Sequence, residues 1–290
     1  MQENKKSIRG QKEDRQKILW LTKQLGDIPL KLITSFQVQE LITALEKTHK
    51  APATINRYLS ALRTILNRAA NEWVDKTTHD YWLDKAPKIK ILEEPKRRIR
   101  FLSHEEAQRL IEITPTHLSD LIAFSLATGL RQSNVLFLEW SQIDEQARHA
   151  WVHPDQAKAK KPIAVPLNSA AIDVINRQKG RHRTRVFTYK GKPLNTIEIR
   201  TWKKYLKRAG IQNFRWHDLR HTWASWHVQA GTPLQVLMEL GGWASMEMVL
   251  KYAHLSGNHL KQAAANVDSA FQHLGHKIGT GVSKKSDRTS

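Results

Sequence analysis

A stretch rich in proline and basic residues, from Asp84 to Arg100, divides this 290-residue chain in two. Apolar residues recur at helical spacing on either side of the stretch, whereas the stretch itself has no such period and carries Pro87 and Pro95. Prolines and runs of like charge both interrupt regular structure. The sequence therefore predicts domains at residues 1–83 and 101–275, a basic linker at residues 84–100 and a disordered basic tail at residues 276–290.

The first domain is predicted to be helical. An apolar-rich stretch ends at Gly26, and Thr34 with Gln37 has the spacing of a capping box that opens a second helix. A third helix follows Thr54, because apolar residues recur there every three or four positions. Three arginines of that helix are expected to face either DNA phosphates or only solvent: Arg57 and Arg68 lie opposite the apolar stripe, and Arg63 lies near its edge.

The second domain is predicted to combine helices with one short hairpin. Ser103 and Glu106 form another capping box at its start. Strand-like residues 150–153 and 163–167 flank a lysine-rich turn. Helices are predicted at residues 105–112, 118–126, 196–208, 217–229, 233–240 and 246–253. The chain is therefore expected to be mainly α with a small antiparallel sheet.

The charge balance indicates a polyanionic partner. Lysine and arginine number 47 against 27 aspartate and glutamate residues, which gives a net charge of +20. Such an excess destabilises a compact chain by self-repulsion unless a polyanion binds, so nucleic acid is the expected partner. No apolar run has the length of a membrane span, the first residues do not resemble a signal peptide, and cysteine is absent. We therefore expect a cytoplasmic protein that binds DNA or RNA and does not contact a membrane.

Three groups suited to phosphate chemistry fall together at the predicted start of one helix. These groups are His217, Arg220 and His221, and residues three or four positions apart share a helix face. A guanidinium binds phosphate in a bidentate manner, and an imidazole exchanges protons near neutral pH. Taken alone, the pattern more often describes a helix cap followed by a surface arginine.

Two further segments carry residues of the same chemistry. Arg131 follows a helix end at Gly129, and Trp243 precedes a helix that carries Tyr252. Taken singly, each has an ordinary alternative: Arg131 as a surface residue after a helix cap, Trp243 as a packing residue and Tyr252 as a packed aromatic.

In combination and order, these segments resemble the tyrosine recombinases, also called the phage integrase family. That family has an arginine after an ATGLR-like turn, a lysine in a β-hairpin, an HxxR box, an LGH- or LGxW-like segment, and a tyrosine nine residues after its histidine or tryptophan. The matching residues here are Arg131, Lys158, His217, Arg220, Trp243 and Tyr252. The resemblance covers residues 97–255 well and the helical N-terminal segment more loosely, as the family's core-binding domain.

Three positions of the match need comment. Lys158 is chosen because it lies eight residues before Pro166, and Lys160 is the second choice. Trp243 stands where many members have a histidine, which implies either an indole N–H donor or a packing residue. Asn134 stands where many members have a glutamate.

The resemblance implies a DNA-clamping helical domain joined to an α+β catalytic domain that cuts and rejoins duplex DNA through a 3′-phosphotyrosyl link at Tyr252. Arg131 and Arg220 would clamp the phosphate, His217 would accept the nucleophile's proton, and Lys158 would protonate the leaving 5′-hydroxyl. No metal, cofactor or ATP is expected. Further DNA contacts are expected from Lys96, Arg97, Arg98 and Lys160.

The resemblance also implies how the chain assembles and what it serves. We expect a homotetramer on two DNA sites that integrates or excises a phage or other mobile element. A DNA-bending accessory factor is a candidate partner. The segment Leu260–Leu274 is a candidate helix that docks either on a neighbouring protomer or on its own domain. Few residues precede the first apolar stretch, so a separate arm-binding domain is expected to be missing or vestigial.

Two other classes of protein stay open. A type IB topoisomerase shares the chemistry, and a non-catalytic DNA-binding regulator could retain the fold. The spacing from the LGGW segment to Tyr252 and the small N-terminal segment favour a recombinase over the topoisomerase. The presence of every catalytic residue type favours an enzyme over the regulator.

Overall fold

The structure is a computed structural model that describes residues 8–95, 99–153 and 162–256, together with residue 265. Several predictions fall outside the described residues: Lys96, Arg97, Arg98, Lys158, Lys160, the segment 260–274 and the tail 276–290. The chain divides into two compact units, Met1–Arg97 and Arg98–Ser290. Most of the regular structure is helical, as expected. No helix of the described part is long and apolar enough to cross a membrane.

Among its described residues the first unit contains three α-helices, and the starts of two of them follow local sequence signals. Helix α1 spans Ile8–Leu25, α2 spans Ser35–Glu46 and α3 spans Pro52–Asn71. The predicted capping box opens α2, with both the Thr34 and the Gln37 side-chain bonds present. Helix α3 begins two residues before Thr54, because proline is favoured at a first helical position. The predicted apolar stripes of α2 and α3 form the core of this unit.

Part of the predicted linker packs against this core. Ile89 is buried, and Leu92 packs beside it. The side chain of Asn56 on α3 donates to the carbonyl of Leu92 at 2.9 Å and accepts from its amide at 2.8 Å. Residues 84–95 therefore have no helix or strand and yet cover part of a helical core, because isolated apolar residues can be buried without a period; the basic linker at residues 84–100 stays a prediction.

The second unit begins at the predicted capping box of Ser103 and contains eight helices and five short strands among its described residues. In chain order the elements are α4 His104–Ile113, α5 Thr116–Thr128, α6 Gln132–Leu136, β1 Ile143–Asp144, β2 His149–Val152, β3 Ile163–Pro166, α7 Ser169–Gln178, β4 Thr188–Tyr189, β5 Lys192–Pro193, α8 Ile199–Arg208, α9 Asp218–Gln229, α10 Leu234–Gly241 and α11 Glu247–Leu250.

The predicted hairpin is part of a three-stranded antiparallel sheet in the order β1-β2-β3. Ala150 pairs with Val165 and both are buried, whereas the next pair, Trp151 with Ala164, faces outward. This alternation is the pattern of a sheet with one face on a core. Strands β4 and β5 form a separate two-stranded sheet.

Helix α5 is the centre of the second unit and packs against α4, α7 and α9. Most of its residues are buried, including Phe124 and Ile122. Its buried Asp120 accepts hydrogen bonds from Arg177 and Gln178 of α7 at 2.9 Å and 2.5 Å. This central packing holds the end of α5, the start of α6 and the length of α9 in place, and these three elements carry most of the candidate site.

Candidate active site

Arg220 is a buried cation of the second unit that is held by several contacts. It lies on α9 with 5% of its surface exposed. Its Nη1 donates to the carbonyl of Gly129 at 2.6 Å, its Nη2 donates to the carbonyl of Gly241 at 2.5 Å, and its guanidinium stacks on the Trp243 ring at 4.2 Å. Burial and the nearby Arg131 lower the pKa of Arg220 to about 10, so the group stays charged at neutral pH.

Both carbonyls that hold Arg220 belong to glycines that lie under an indole ring. Gly129 ends α5 with a φ of 63°, and a Cβ there would lie 2.3 Å from the ring of Trp223. A Cβ on Gly241 would lie 2.0 Å from the ring of Trp243. These positions need glycine because the rings leave no room for a side chain.

The Gly241 position gives a direct test of this packing. We expect Gly241→Ala to lower the free energy of unfolding by about 1–3 kcal/mol, since the methyl group overlaps the Trp243 ring. Urea unfolding followed by circular dichroism measures the change. The matched control is Gln235→Ala, an exposed position on the same helix, which should be neutral. Equal stability of the two variants would show that Trp243 moves aside freely.

Arg131 supplies a second guanidinium beside Arg220. It lies at the N-terminus of α6, half-buried, and its Nη1 is buried without a hydrogen-bond partner among the described residues. Burial lowers the pKa of Arg131, and its charge in turn lowers the pKa of Arg220. The buried Asn134 one turn later also has an unpaired side-chain nitrogen. Two close cations and unpaired donors form a site that an anion would neutralise and saturate.

Tyr252 packs inside this part of the molecule. Its side chain is 0% exposed, and its ring lies 6.0 Å from the ring of Trp243. The phenolic oxygen is 2.6 Å from Nδ1 of His221. Burial raises the pKa of Tyr252, and the nearby Arg220 only partly opposes that effect, so the phenol is neutral at physiological pH.

The two histidines of α9 have different positions. His217 precedes the helix and reaches solvent, whereas His221 is half-buried with its ring edge-on to that of His217 at 5.1 Å. Burial, helped by the positive charge of Lys251, lowers the pKa of His221 to about 4. Burial and Arg220 also lower the pKa of His217. Both imidazoles are therefore neutral at pH 7.

The structure brings together five of the six residues that the sequence singled out as catalytic, and Lys158 lies outside the described residues. The structure also shows contacts to Tyr252 that sequence reasoning did not assign. His221 rather than His217 contacts the phenol, and Lys251 places its Nζ 5.0 Å from the centre of the Tyr252 ring. Helical spacing places His221 on the same face as His217, but it cannot say which imidazole meets a tyrosine from another element.

Comparison with known proteins identifies the family of this chain. The model of the phage integrase family matches residues 100–259, which is more than half of the chain. The chain belongs to the phage integrase family. The integrase of Salmonella phage P22 is 47% identical over 234 residues, and the match covers 76% of this chain and 59% of that integrase. A XerC-like tyrosine recombinase of Caldanaerobacter subterraneus is 25% identical, with 86% and 74% of the two chains covered.

Solved structures share the fold. The integrase of the Tn1549 transposon, in complex with transposon right end DNA, superposes with a TM-score of 0.71 at 17% identity and covers 91% of this chain and 96% of that chain. A lambda integrase dimer bound to a COC′ core site gives a TM-score of 0.66 at 20% identity, with 87% and 90% covered. These neighbours confirm the expected fold class.

Trp243 departs from the histidine that the resemblance places at this position in many family members. The structure shows it as a packing residue, since it is 9% exposed and lies flat against the Arg220 guanidinium. A cation above an indole face is attracted to it electrostatically. Trp243 therefore helps to orient the arginine, whatever its indole N–H contacts when DNA is bound.

The predicted DNA-contacting arginines of α3 have different surroundings. Arg57 is exposed. Arg63 donates to the backbone carbonyl of Ile89, and Arg68 forms an ion pair with Glu72 at 3.2 Å. Of the three, Arg57 is the one for which the structure gives no intramolecular bond, and a DNA contact by any of them stays a prediction.

Proposed function

We propose that this chain is a site-specific DNA recombinase that cuts and rejoins strands through a 3′-phosphotyrosyl link at Tyr252. One observation carries the proposal. The Tyr252 ring lies 6.0 Å from the Trp243 ring, and the Arg220 guanidinium lies over that same ring at 4.2 Å, held by the carbonyls of Gly129 and Gly241 at the ends of α5 and α10. A phosphate bound by Arg220 and Arg131 would therefore lie near Tyr252, the nucleophilic side chain that the family motif supplies, and would reach its oxygen once the residues that bury it shift.

The charges of the site suit a phosphoryl transfer. Arg131 and Arg220 would bind the non-bridging oxygens of the scissile phosphate, and Arg220 is held in advance by its hydrogen bonds to two backbone carbonyls. A donor that needs no reorganisation stabilises the transition state, and removal of one such donor costs roughly 10²–10³-fold in rate. His217, exposed beside them, is positioned to hydrogen-bond the same phosphate.

The resemblance to the family supplies the reaction sequence. The Tyr252 oxygen passes its proton to a neighbouring imidazole and attacks phosphorus, the bond to the 5′-oxygen breaks, and Lys158 protonates that 5′-oxygen to give a 5′-hydroxyl. Because the phosphodiester energy is kept in the phosphotyrosyl bond, a 5′-hydroxyl from another strand can reseal the DNA without ATP. Exchange of strands requires two DNA sites with two protomers on each. A lambda integrase tetramer bound to a Holliday junction shares this fold with a TM-score of 0.63.

The biological setting is proposed by likeness. The P22 integrase is a phage protein and the Tn1549 integrase belongs to a transposon. We therefore assign this chain to the integration or excision of a phage or other mobile element in the cytoplasm, with a DNA-bending factor as a candidate helper. The helical first unit would clamp the duplex, with Arg57 and the basic residues 96–98 on phosphates. Several such contacts give a steep fall of affinity with salt.

A plasmid assay tests the proposal against its rivals. The substrates carry two copies, one copy or no copy of the junction sequence of the element that encodes this chain. We expect recombinant circles only from the two-copy plasmid, without ATP. Relaxation of the plasmid without any site would indicate topoisomerase-like activity. Specific binding without any covalent complex would indicate a non-catalytic regulator.

A further inference from the structure

The hydrogen bond between Tyr252 and His221 joins two elements that are distant in sequence. Tyr252 follows α11, and His221 lies in the first turns of α9. Their Oη···Nδ1 distance of 2.6 Å is short for a bond between a hydroxyl and an imidazole. The two ring centres lie 5.8 Å apart. The nucleophile proposed above therefore already has a proton acceptor in contact with its reacting oxygen.

The chemical state of both partners suits proton transfer during the reaction. The Tyr252 phenol is neutral because burial raises its pKa, so the proton must leave as the oxygen attacks. The His221 imidazole is neutral because burial lowers its pKa, so Nδ1 has a free lone pair when the ring proton is on Nε2. Lys251, His217 and Arg215 oppose its protonation, and Asp218 favours it.

Proton transfer from the weakly acidic Tyr252 phenol to the weakly basic His221 imidazole is unfavourable in the protein without DNA. A bound phosphate changes the acidity of the phenol and the basicity of the imidazole. Its negative charge, held by Arg220 and Arg131, favours a cationic imidazole nearby, which raises the proton affinity of His221. Formation of the oxygen–phosphorus bond makes the phenolic proton more acidic. Without DNA the proton therefore stays on Tyr252. Binding of the phosphate brings the pKa values of the Tyr252 phenol and the His221 imidazole closer together, so that the proton can move.

We infer that His221, and not His217, is the catalytic residue that removes the proton from Tyr252, an assignment that rests on the proposed function. In the forward step the O–H bond of Tyr252 breaks, its proton moves to Nδ1 of His221, and the Tyr252 oxygen–phosphorus bond forms as the 5′-oxygen leaves. On resealing, the imidazolium returns that proton to the departing phenolate. No further reactant is needed.

Tyr252 is fully buried, so residues around it must shift before phosphate reaches its oxygen. The same hydrogen bond could in principle only hold the ring inside the protein. A purely structural hydrogen bond and a catalytic base predict opposite effects when the imidazole is removed. Loss of a structural bond frees Tyr252 and speeds cleavage, whereas loss of a base slows cleavage. The experiment below separates them.

The test measures the single-turnover rate of covalent complex formation on a nicked suicide substrate. The variants are His221→Ala, His221→Asn and His217→Asn, each with tyrosine or the more acidic 3,5-difluorotyrosine at position 252. Asparagine at 221 keeps a hydrogen-bonding atom near the Nδ1 position but cannot take the proton. His227→Asn, on the same helix and bonded to Thr232, is the matched control and should leave the rate unchanged.

We expect both His221 variants to lose roughly 10²–10⁴-fold in rate, which is the usual contribution of general base catalysis. Difluorotyrosine should restore a large part of that loss in the His221 variants and none of the loss in His217→Asn. A near-normal rate for His221→Asn, a faster rate for His221→Ala, or a loss that difluorotyrosine does not relieve would each overturn the assignment. Absence of any complex with the unsubstituted protein would instead overturn the proposed function, and this assignment with it.

Discussion

Tyr252→Phe should abolish covalent protein–DNA complexes while specific DNA binding is retained. The variant loses only the phenolic oxygen, and the ring that fills the cluster with Trp243 stays in place. Loss of the hydrogen bond to His221 should lower the free energy of unfolding by about 1 kcal/mol, which leaves the fold intact. A denaturing gel of labelled suicide substrate measures the covalent complex, and a native gel measures binding.

Tyr205→Phe is the matched control for this prediction. Tyr205 is a partly buried tyrosine of α8 that packs on the main core of the second unit. Its variant should form the covalent complex at the normal rate. If Tyr252→Phe still formed a complex that resists denaturation, another residue would be the nucleophile and the proposed mechanism would be wrong.

Arg220→Lys should give the second-largest effect. A lysine has no fork of donors, so it cannot bond both the Gly129 and the Gly241 carbonyls and also a phosphate. We expect the cleavage rate to fall by roughly 10²–10³-fold. We also expect a loss of about 1–3 kcal/mol in unfolding free energy, because a buried carbonyl is left unpaired. Single-turnover cleavage and urea unfolding measure the two effects.

The control for Arg220 is Arg215→Lys, a change at an exposed arginine that pairs with Asp218 at 3.0 Å. Lysine keeps the positive charge, and the buried Asp218 still accepts from the backbone amide of residue 215 at 2.7 Å, so this variant should be near normal in both measurements. An Arg220→Lys protein that cleaves at the normal rate would show that the guanidinium is structural and that the phosphate binds elsewhere.

The parts of the fold that sequence could predict are those with strong local signals. The Thr34 and Ser103 capping boxes each combine a hydroxyl and a carboxamide or carboxylate at fixed spacing, and both open helices as expected. The hairpin was found because its apolar residues alternate. Helix α7 was missed, although Asn168 caps it by accepting from the amide of Ala171 at 3.0 Å, because a lone cap without its box is a weak signal.

For the candidate site, the sequence indicates which residues take part in the chemistry but not how their side chains are arranged. The resemblance to the integrase family predicted that Arg131, Arg220 and Tyr252 meet. Their sequence could not predict that Tyr252 is fully buried or that its oxygen meets His221. Those facts depend on how α9 and α11 are rotated about their axes. Contacts with elements that are distant in sequence set these rotations.

The two glycines that hold Arg220 illustrate a further limit. Gly129 was recognised as a helix end, and its positive φ agrees with that interpretation. Its second role, in which its carbonyl accepts a hydrogen bond from the Arg220 guanidinium while the Trp223 ring packs against the glycine, needs coordinates to be seen. A backbone carbonyl has no signature in a sequence.

The most direct test of the central claim is to identify the residue that is joined to DNA. The trapped complex is digested with protease and nuclease, and mass spectrometry locates the nucleotide adduct. We predict a single adduct on Tyr252, attached through the 3′-phosphate of the cleaved strand. An adduct on any other residue, or attachment through a 5′-phosphate, would contradict the mechanism.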